Sequence, residues 1–266
     1  GRCKSIRRLR SRTGLGYTAA MNDATATART ASATVHLDGR IGLIHVAGLD
    51  RAAASALFDA PGEVQDGRGR GAIRRVQTDC GRIVLRHYRR GGLIAKLSRD
   101  WFVWTGADAT RPFREFRVTR QLHAAGLPVP DVVAARFVRA GLGYRADLAT
   151  REVVGARTLA ERLPAESADI DWAALGTLIA RFHAAGLWHA DLNAHNVLYD
   201  GDGRPLLIDF DRARLVAPFA TPLQDNLDRL ARSLRKLGHG ELVAGLPWTT
   251  LHRAYDAAIQ AALAAR

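Results

Sequence analysis

The chain has 266 residues, 47% of them hydrophobic and 24% charged, with a formal net charge of +13. That balance excludes a disordered chain and leaves room for one large domain or two lobes. Arginine or aspartate interrupts every apolar run well short of the ~20 residues that a membrane-crossing helix needs. The only cysteines, Cys3 and Cys80, point to a reducing cytoplasm and away from a disulfide framework.

A sequence pI near 10.9 calls for anionic partners: nucleic acid, phosphates or an acidic lipid surface. The start of the chain inflates that figure. Arg2, Lys4, Arg7, Arg8, Arg10 and Arg12 fall in the first twenty residues with no acid among them, and without them 33 basic residues face 26 acidic ones, a charge of +7. Nothing there has the periodicity of a packing element, and Met21 is the one methionine. We therefore expect translation to begin at Met21 and residues 1–33 to be a disordered or non-native segment. An arginine-rich, acid-poor transit peptide is the competing reading.

Regular structure is expected from Thr34, with short β-like runs to Val46 and a brief helix from Arg51 to Phe58. After the glycine-rich stretch Asp66 to Gly71, Ala72 to Gln77 and Arg82 to Tyr88 flank Thr78 to Gly81 as the arms of a β-hairpin. Pro112 to Ala125 is helical in pattern, stopped by Gly126 and Pro128-Val-Pro130; Tyr144 to Val154 is a further strand. The second half is mostly helical. Leu175, Leu178, Ile179 and Phe182 recur at helical spacing in Asp171 to Ala185, and helices return over Asp225 to Leu237 and Thr249 to Ala265. Between them, Val197 to Tyr199 and Pro205 to Ile208 flank the turn Asp200-Gly-Asp-Gly203 as a second hairpin. Strands followed by helices predict an α+β chain.

The strongest chemical signal is His189-Ala-Asp191-Leu-Asn-Ala-His-Asn196, followed after the hairpin by Asp209-Phe210-Asp211. It resembles the catalytic core of protein kinases, H-R-D-L-x-x-x-N and then D-F-G. Phosphoryl transfer needs a group to orient the attacking hydroxyl and oxygen ligands for magnesium on the nucleotide phosphates. The resemblance makes Asp191 the base, and Asn196 and Asp209 the metal ligands. His189 braces the loop, whereas for His195 a structural and a substrate-side role fit equally well.

In the first half, Gly67, Gly69 and Gly71 alternate before a strand, so their amides can approach ATP phosphates closely; alone, a flexible turn explains them as well. Position adds weight, because Arg86, 15 residues beyond Gly71, stands where protein kinases carry the nucleotide-binding lysine of V-A-I-K. Lys96 is the other candidate for that role. Arg86 shares a strand face with Val84, and Glu115 on the next helix is its natural ion-pair partner. Solvated surface charge is the alternative for both. The resemblance implies a two-lobed protein-kinase-like fold: a strand-rich N-lobe over 34–155, a helical C-lobe over 156–266, and the active site between them.

After Asp209 there is no D-F-G glycine and no A-P-E, and Pro218 and Pro222 follow soon, leaving little room for a peptide-docking segment. The chain is similar to the bacterial 3-deoxy-D-manno-octulosonic acid (Kdo) kinases, within the lipopolysaccharide core kinases. The strings that carry the likeness, from about Thr34 to Leu237, are Leu85-Arg-His-Tyr-Arg-Arg-Gly-Gly92, Asp100-Trp-Phe-Val-Trp-Thr-Gly106, Arg114-Glu-Phe116, Gly126-Leu-Pro-Val-Pro130, the Asp191 loop and Ile208-Asp-Phe-Asp-Arg212. The resemblance implies ATP- and Mg-dependent phosphorylation of the Kdo 4-hydroxyl on Kdo-lipid A precursor, at the anionic cytoplasmic face of the bacterial inner membrane. Arg86 to Arg90 and Arg212 are suspects for the acceptor's anionic groups. Trp101 and Trp104 are read as packing or as a lipid-facing edge. A heptose kinase is the near rival; a nucleic-acid-binding pseudokinase and an aminoglycoside-type phosphotransferase are further ones. No nucleic acid partner is expected, and the sequence says nothing of oligomeric state.

Overall fold

The computed structural model describes residues 33–67, 71–79, 81–89, 100–215 and 224–265. The expectations attached to the first 32 residues, Gly69, Cys80, Arg90 and Lys96 lie outside them. The chain divides into two compact units: Gly1–Arg120 with Asp131–Glu152, and Gln121–Pro130 with Val153–Arg266.

The first unit is built on eight strands: β1 (Ala33–Asp38), β2 (Ile41–Val46), β3 (Glu63–Gly67), β4 (Gly71–Thr78), β5 (Gly81–His87), β6 (Phe102–Val103), β7 (Val132–Ala140) and β8 (Gly143–Arg151). They form one antiparallel sheet in the order β1-β2-β7-β8-β5-β4-β3, with β6 on β8. Helix α1 (Arg51–Asp59) starts where the Asp50 carboxylate accepts the Ala53 amide at 2.8 Å. It lays Ala54 and Phe58 on one sheet face with Leu43, Val76, Ile83 and Leu85. The other face packs Ile44, Phe137, Tyr144 and Leu148 against Phe113 and Phe116 of helix α2 (Arg111–Ala124). The strand alternation over Arg82 to His87 thus separates two cores: Ile83 and Leu85 serve the first, and Arg86 and Tyr88 point to the side of α2.

Strands β3, β6 and β7 were not anticipated. β7 has no clean alternation, because Val132, Val133, Ala134 and Ala135 are buried in succession, between cores on both sheet faces. Both tryptophans pack. The Trp101 indole lies so close on Gly143 that a Cβ there would meet its Cε2 at 2.2 Å, and Trp104 rests on Phe137, its ring under Arg139.

The second unit takes in the end of α2, closed by Gly126 at φ 71° with Leu127 N–H donating to Leu122 O at 3.0 Å. Its helices are α3 (Leu159–Glu166), α4 (Trp172–Ala184), α5 (Gln224–Lys236), α6 (Gly240–Ala244) and α7 (Leu246–Ala264). The Asp171 carboxylate caps α4 through the Ala174 amide, and Thr158 with Glu161 makes a capping box on α3. α4 and α7 cross at Gly176, where a Cβ would come within 2.1 Å of Leu251 O; only glycine allows that approach. Strands first and helices second make the α+β class expected from sequence.

Candidate active site

Two small ladders in the second unit fix the loops on which the chemistry was expected. β10 (Leu187–Trp188) pairs with β13 (Arg214–Leu215), and β11 (Val197–Tyr199) with β12 (Pro205–Leu207), while β9 (Arg157–Thr158) extends the second sheet on the other side of β11. The Asp191 loop therefore runs from β10 to β11, and the Asp209 loop from β12 to β13. Ile208 N–H donates to Asn196 O at 3.1 Å, joining the two loops at the residues themselves.

His189 ties them again. Its Nδ1 accepts the Asp191 amide at 3.2 Å and its Nε2 faces Ile208 O at 3.0 Å. An N–H and a C=O in those places leave one tautomer, neutral with the proton on Nε2. Burial pushes the pKa of this histidine down, against the opposing pull of the Ile208 hydrogen bond and the carboxylates of Asp209, Asp191 and Asp211. Phe210, itself buried, sits against His189 and Phe182.

The Asp191 carbonyl accepts from Asn196 Nδ2 at 2.8 Å and Asn193 Nδ2 at 3.1 Å, while the residue itself is exposed. Asn196 is only 2% exposed. With its amide nitrogen committed, Oδ1 is the atom it offers to a ligand. Asp209 is held at φ 71°, a left-handed backbone that costs an ordinary residue on the order of 1–3 kcal/mol and clusters at functional sites. Asp191, Asn196 and Asp209 are thus joined through main chain, one amide and one imidazole. An amide oxygen and a carboxylate are the hard oxygen donors that magnesium takes. Among the described residues no three His, Cys, Asp or Glu side chains gather as a metal cluster, and magnesium in nucleotide sites is commonly completed by phosphate and water.

In the first unit, Gly67 and Gly71 stand opposite each other across β3 and β4. Arg86 donates to the Glu115 carboxylate, which also accepts the Tyr88 hydroxyl, and the guanidinium lies 4.7 Å over the Tyr88 ring. Glu115 is 3% exposed, so solvated surface charge does not describe it. Tyr88 was missed in the sequence, although it continues the period-two face of Val84 and Arg86. Asn226, which bonds both main-chain groups of His189, was missed too; a polar residue near a helix start gives no signal that it is buried.

Comparison with known proteins gives the same direction. Residues 59–255 match the model of the lipopolysaccharide kinase (Kdo/WaaP) family. The chain is 47% identical over 192 residues, 71% of its length and 77% of the relative's, to the 3-deoxy-D-manno-octulosonic acid kinase of Stenotrophomonas maltophilia strain K279a. It is 47% identical over 195 residues, 73% and 78% of the two lengths, to the enzyme of that name from Xanthomonas axonopodis pv. citri strain 306, and 48% over 196 residues, again 73% and 78%, to that of Xanthomonas oryzae pv. oryzae strain PXO99A. With three-quarters of its length matched and its strand-rich and helical units those of a kinase-like fold, the chain belongs to the lipopolysaccharide kinase (Kdo/WaaP) family.

Proposed function

We propose that this protein is an ATP-dependent kinase that phosphorylates the 4-hydroxyl of the Kdo sugar on Kdo-lipid A precursor in lipopolysaccharide core biosynthesis. The supporting observation is the bonded set Asp191, Asn196 and Asp209 in a chain 47% identical to Kdo kinases.

Asp191 accepts the proton of the acceptor hydroxyl as that oxygen bonds to the γ-phosphorus; the bridging P–O bond breaks and its electron pair leaves with ADP. Asn196 Oδ1 and the Asp209 carboxylate would hold magnesium, which when bound neutralises phosphate charge. The main-chain amides near Gly67, Gly69 and Gly71 take the phosphates of ATP, and Arg86, oriented by Glu115 and Tyr88, adds a fixed positive charge to them. His189 keeps the Asp191 amide and the Ile208 carbonyl in register.

No helix among the described residues is long and apolar enough to cross a membrane. The net charge, +13 over the whole chain and still +7 without the first twenty residues, favours peripheral association with the anionic cytoplasmic face of the inner membrane, where the glycolipid acceptor would be met.

The test is transfer of labelled γ-phosphate from ATP and magnesium to Kdo-lipid A precursor, beside heptosylated core and a generic protein. Label on the Kdo acceptor alone, lost with EDTA and reduced ~10²–10⁴-fold in Asp191→Ala, is the expected result. Label on heptosylated core in its place overturns the acceptor, and an Asp191→Ala enzyme of near wild-type rate overturns the base.

A further inference from the structure

Behind the Asp191 loop, buried polar side chains join three helices of the second unit. His183 of α4, Asn226 of α5 and His189 are each 2% exposed or less, and Tyr255 of α7 is 7% exposed. Asn226 Nδ2 donates to His189 O at 2.9 Å, and Asn226 Oδ1 accepts His189 N–H at 3.1 Å. One amide therefore holds both main-chain groups of the residue two positions before Asp191.

Main-chain chemistry sets the direction of every bond behind it. His189 N–H can only donate and His189 C=O only accept, so the Asn226 amide has one orientation. His183 Nε2 lies 3.2 Å from Asn226 Oδ1, an acceptor, and must carry the proton. His183 Nδ1 is then bare and accepts from the Tyr255 hydroxyl at 2.9 Å. Burial supports each assignment: it pushes His183 down to about 4, so the ring is neutral, and Tyr255 up to about 12, so the phenol keeps its proton.

The geometry points to Tyr255, 64 positions along the chain from the base, as a positioning residue for Asp191 that acts through His183 and Asn226. Without the Tyr255 donor, His183 Nδ1 is a buried acceptor with no partner. The ring then relieves it by turning or by admitting water, and either change loosens its Nε2–H bond to Asn226 and the hold on His189. The close crossing at Gly176, where a Cβ would also lie 3.1 Å from Tyr255 N, is what brings α7 near enough for the phenol to reach. This inference takes Asp191 as the base proposed above.

The experiment compares the full chain with Tyr255→Phe by amide hydrogen exchange and by steady-state kinetics. We expect exchange of the His189 and Asp191 amides to rise at least ~10-fold while the β11–β12 hairpin and α4 keep their protection. kcat should fall ~10-fold with KM for ATP unchanged, the split expected of lost alignment. Unchanged exchange at those two amides, or an equal rise everywhere, would refute the positioning role. So would loosened amides with a wild-type kcat. Asn226→Asp serves where Tyr255→Phe does not fold: its carboxylate accepts His189 N–H but cannot donate to His189 O, and His189 and Asp191 should again exchange faster than the hairpin. A wild-type enzyme that ignores the Kdo acceptor would count against the proposed function. The exchange arm would still read the network, and kcat would be followed on the acceptor that is labelled.

Discussion

Glu115 is the most exacting place to perturb the first unit. Its carboxylate is 3% exposed and accepts from both Arg86 and Tyr88, while the Arg86 side chain keeps 21% of its exposure. Removing one partner of a buried ion pair costs about 3–5 kcal/mol because the other is left uncompensated. Residual solvent at Arg86 puts its share at the low end. The Tyr88 hydroxyl loses a bond to a charged acceptor, worth about 1.5–3 kcal/mol, and groups that share one carboxylate do not add. We expect Glu115→Ala to lose about 4 kcal/mol, Glu115→Gln about 2 and Tyr88→Phe about 1.5, with Tyr88→Phe nearly silent in the Glu115→Ala background. Urea unfolding followed by fluorescence and by exchange in β5 and β8 measures this, since two units need not unfold in one step. KM for ATP should rise in parallel. A Glu115→Ala loss under about 1 kcal/mol would mean that the carboxylate is solvated and would refute both the energy and the assigned role.

Acid should weaken the second unit. The folded pKa of His183 is about 4 against 6.5 for the free side chain, mainly through burial. Its contribution is therefore complete above pH 6.5 and lost as pH falls toward 4, in all roughly 3 kcal/mol; His183→Gln should flatten that slope in urea midpoints taken from pH 7 to 4. His87 in the first unit has the opposite sign, its pKa raised by the hydrogen bond to Asp147. It stabilises below pH 6.5, and that contribution fades as pH climbs through its folded value. Gly176→Ala places a Cβ 2.1 Å from Leu251 O, where ordinary contact begins at 3.4 Å, so α4 and α7 must part by about 1 Å at a cost of ~1–3 kcal/mol. A thermal midpoint several degrees lower is expected. A gain, from the ~1 kcal/mol helix advantage of alanine over glycine, would show that the crossing is loose.

The sequence by itself determined what depends on neighbours along the chain. Helix bounds around Asp50, Asp171 and Gly126 follow from caps and stops, and the hairpin turns follow from local glycines. The spacing of His189, Asp191, Asn196 and Asp209 places them on two loops joined by a hairpin, and no tertiary contact is needed to see it. Arg86 and Glu115 could be named as partners only because one strand face and one helix position are readable as patterns.

Only the tertiary structure decided what depends on burial. β7 was invisible because packing on both faces erases alternation, and nothing local marks Tyr88 as the second donor to Glu115. The His189 tautomer is set jointly by the Asp191 amide two residues on and by a carbonyl 19 residues away, and only the fold brings that carbonyl to Nε2. Asn226 and Tyr255 lie 37 and 72 positions from their partners His189 and His183. A polar side chain carries no mark in sequence of whether it meets water or a buried main-chain group, and that difference turns an ordinary asparagine and tyrosine into supports for the loop that bears Asp191.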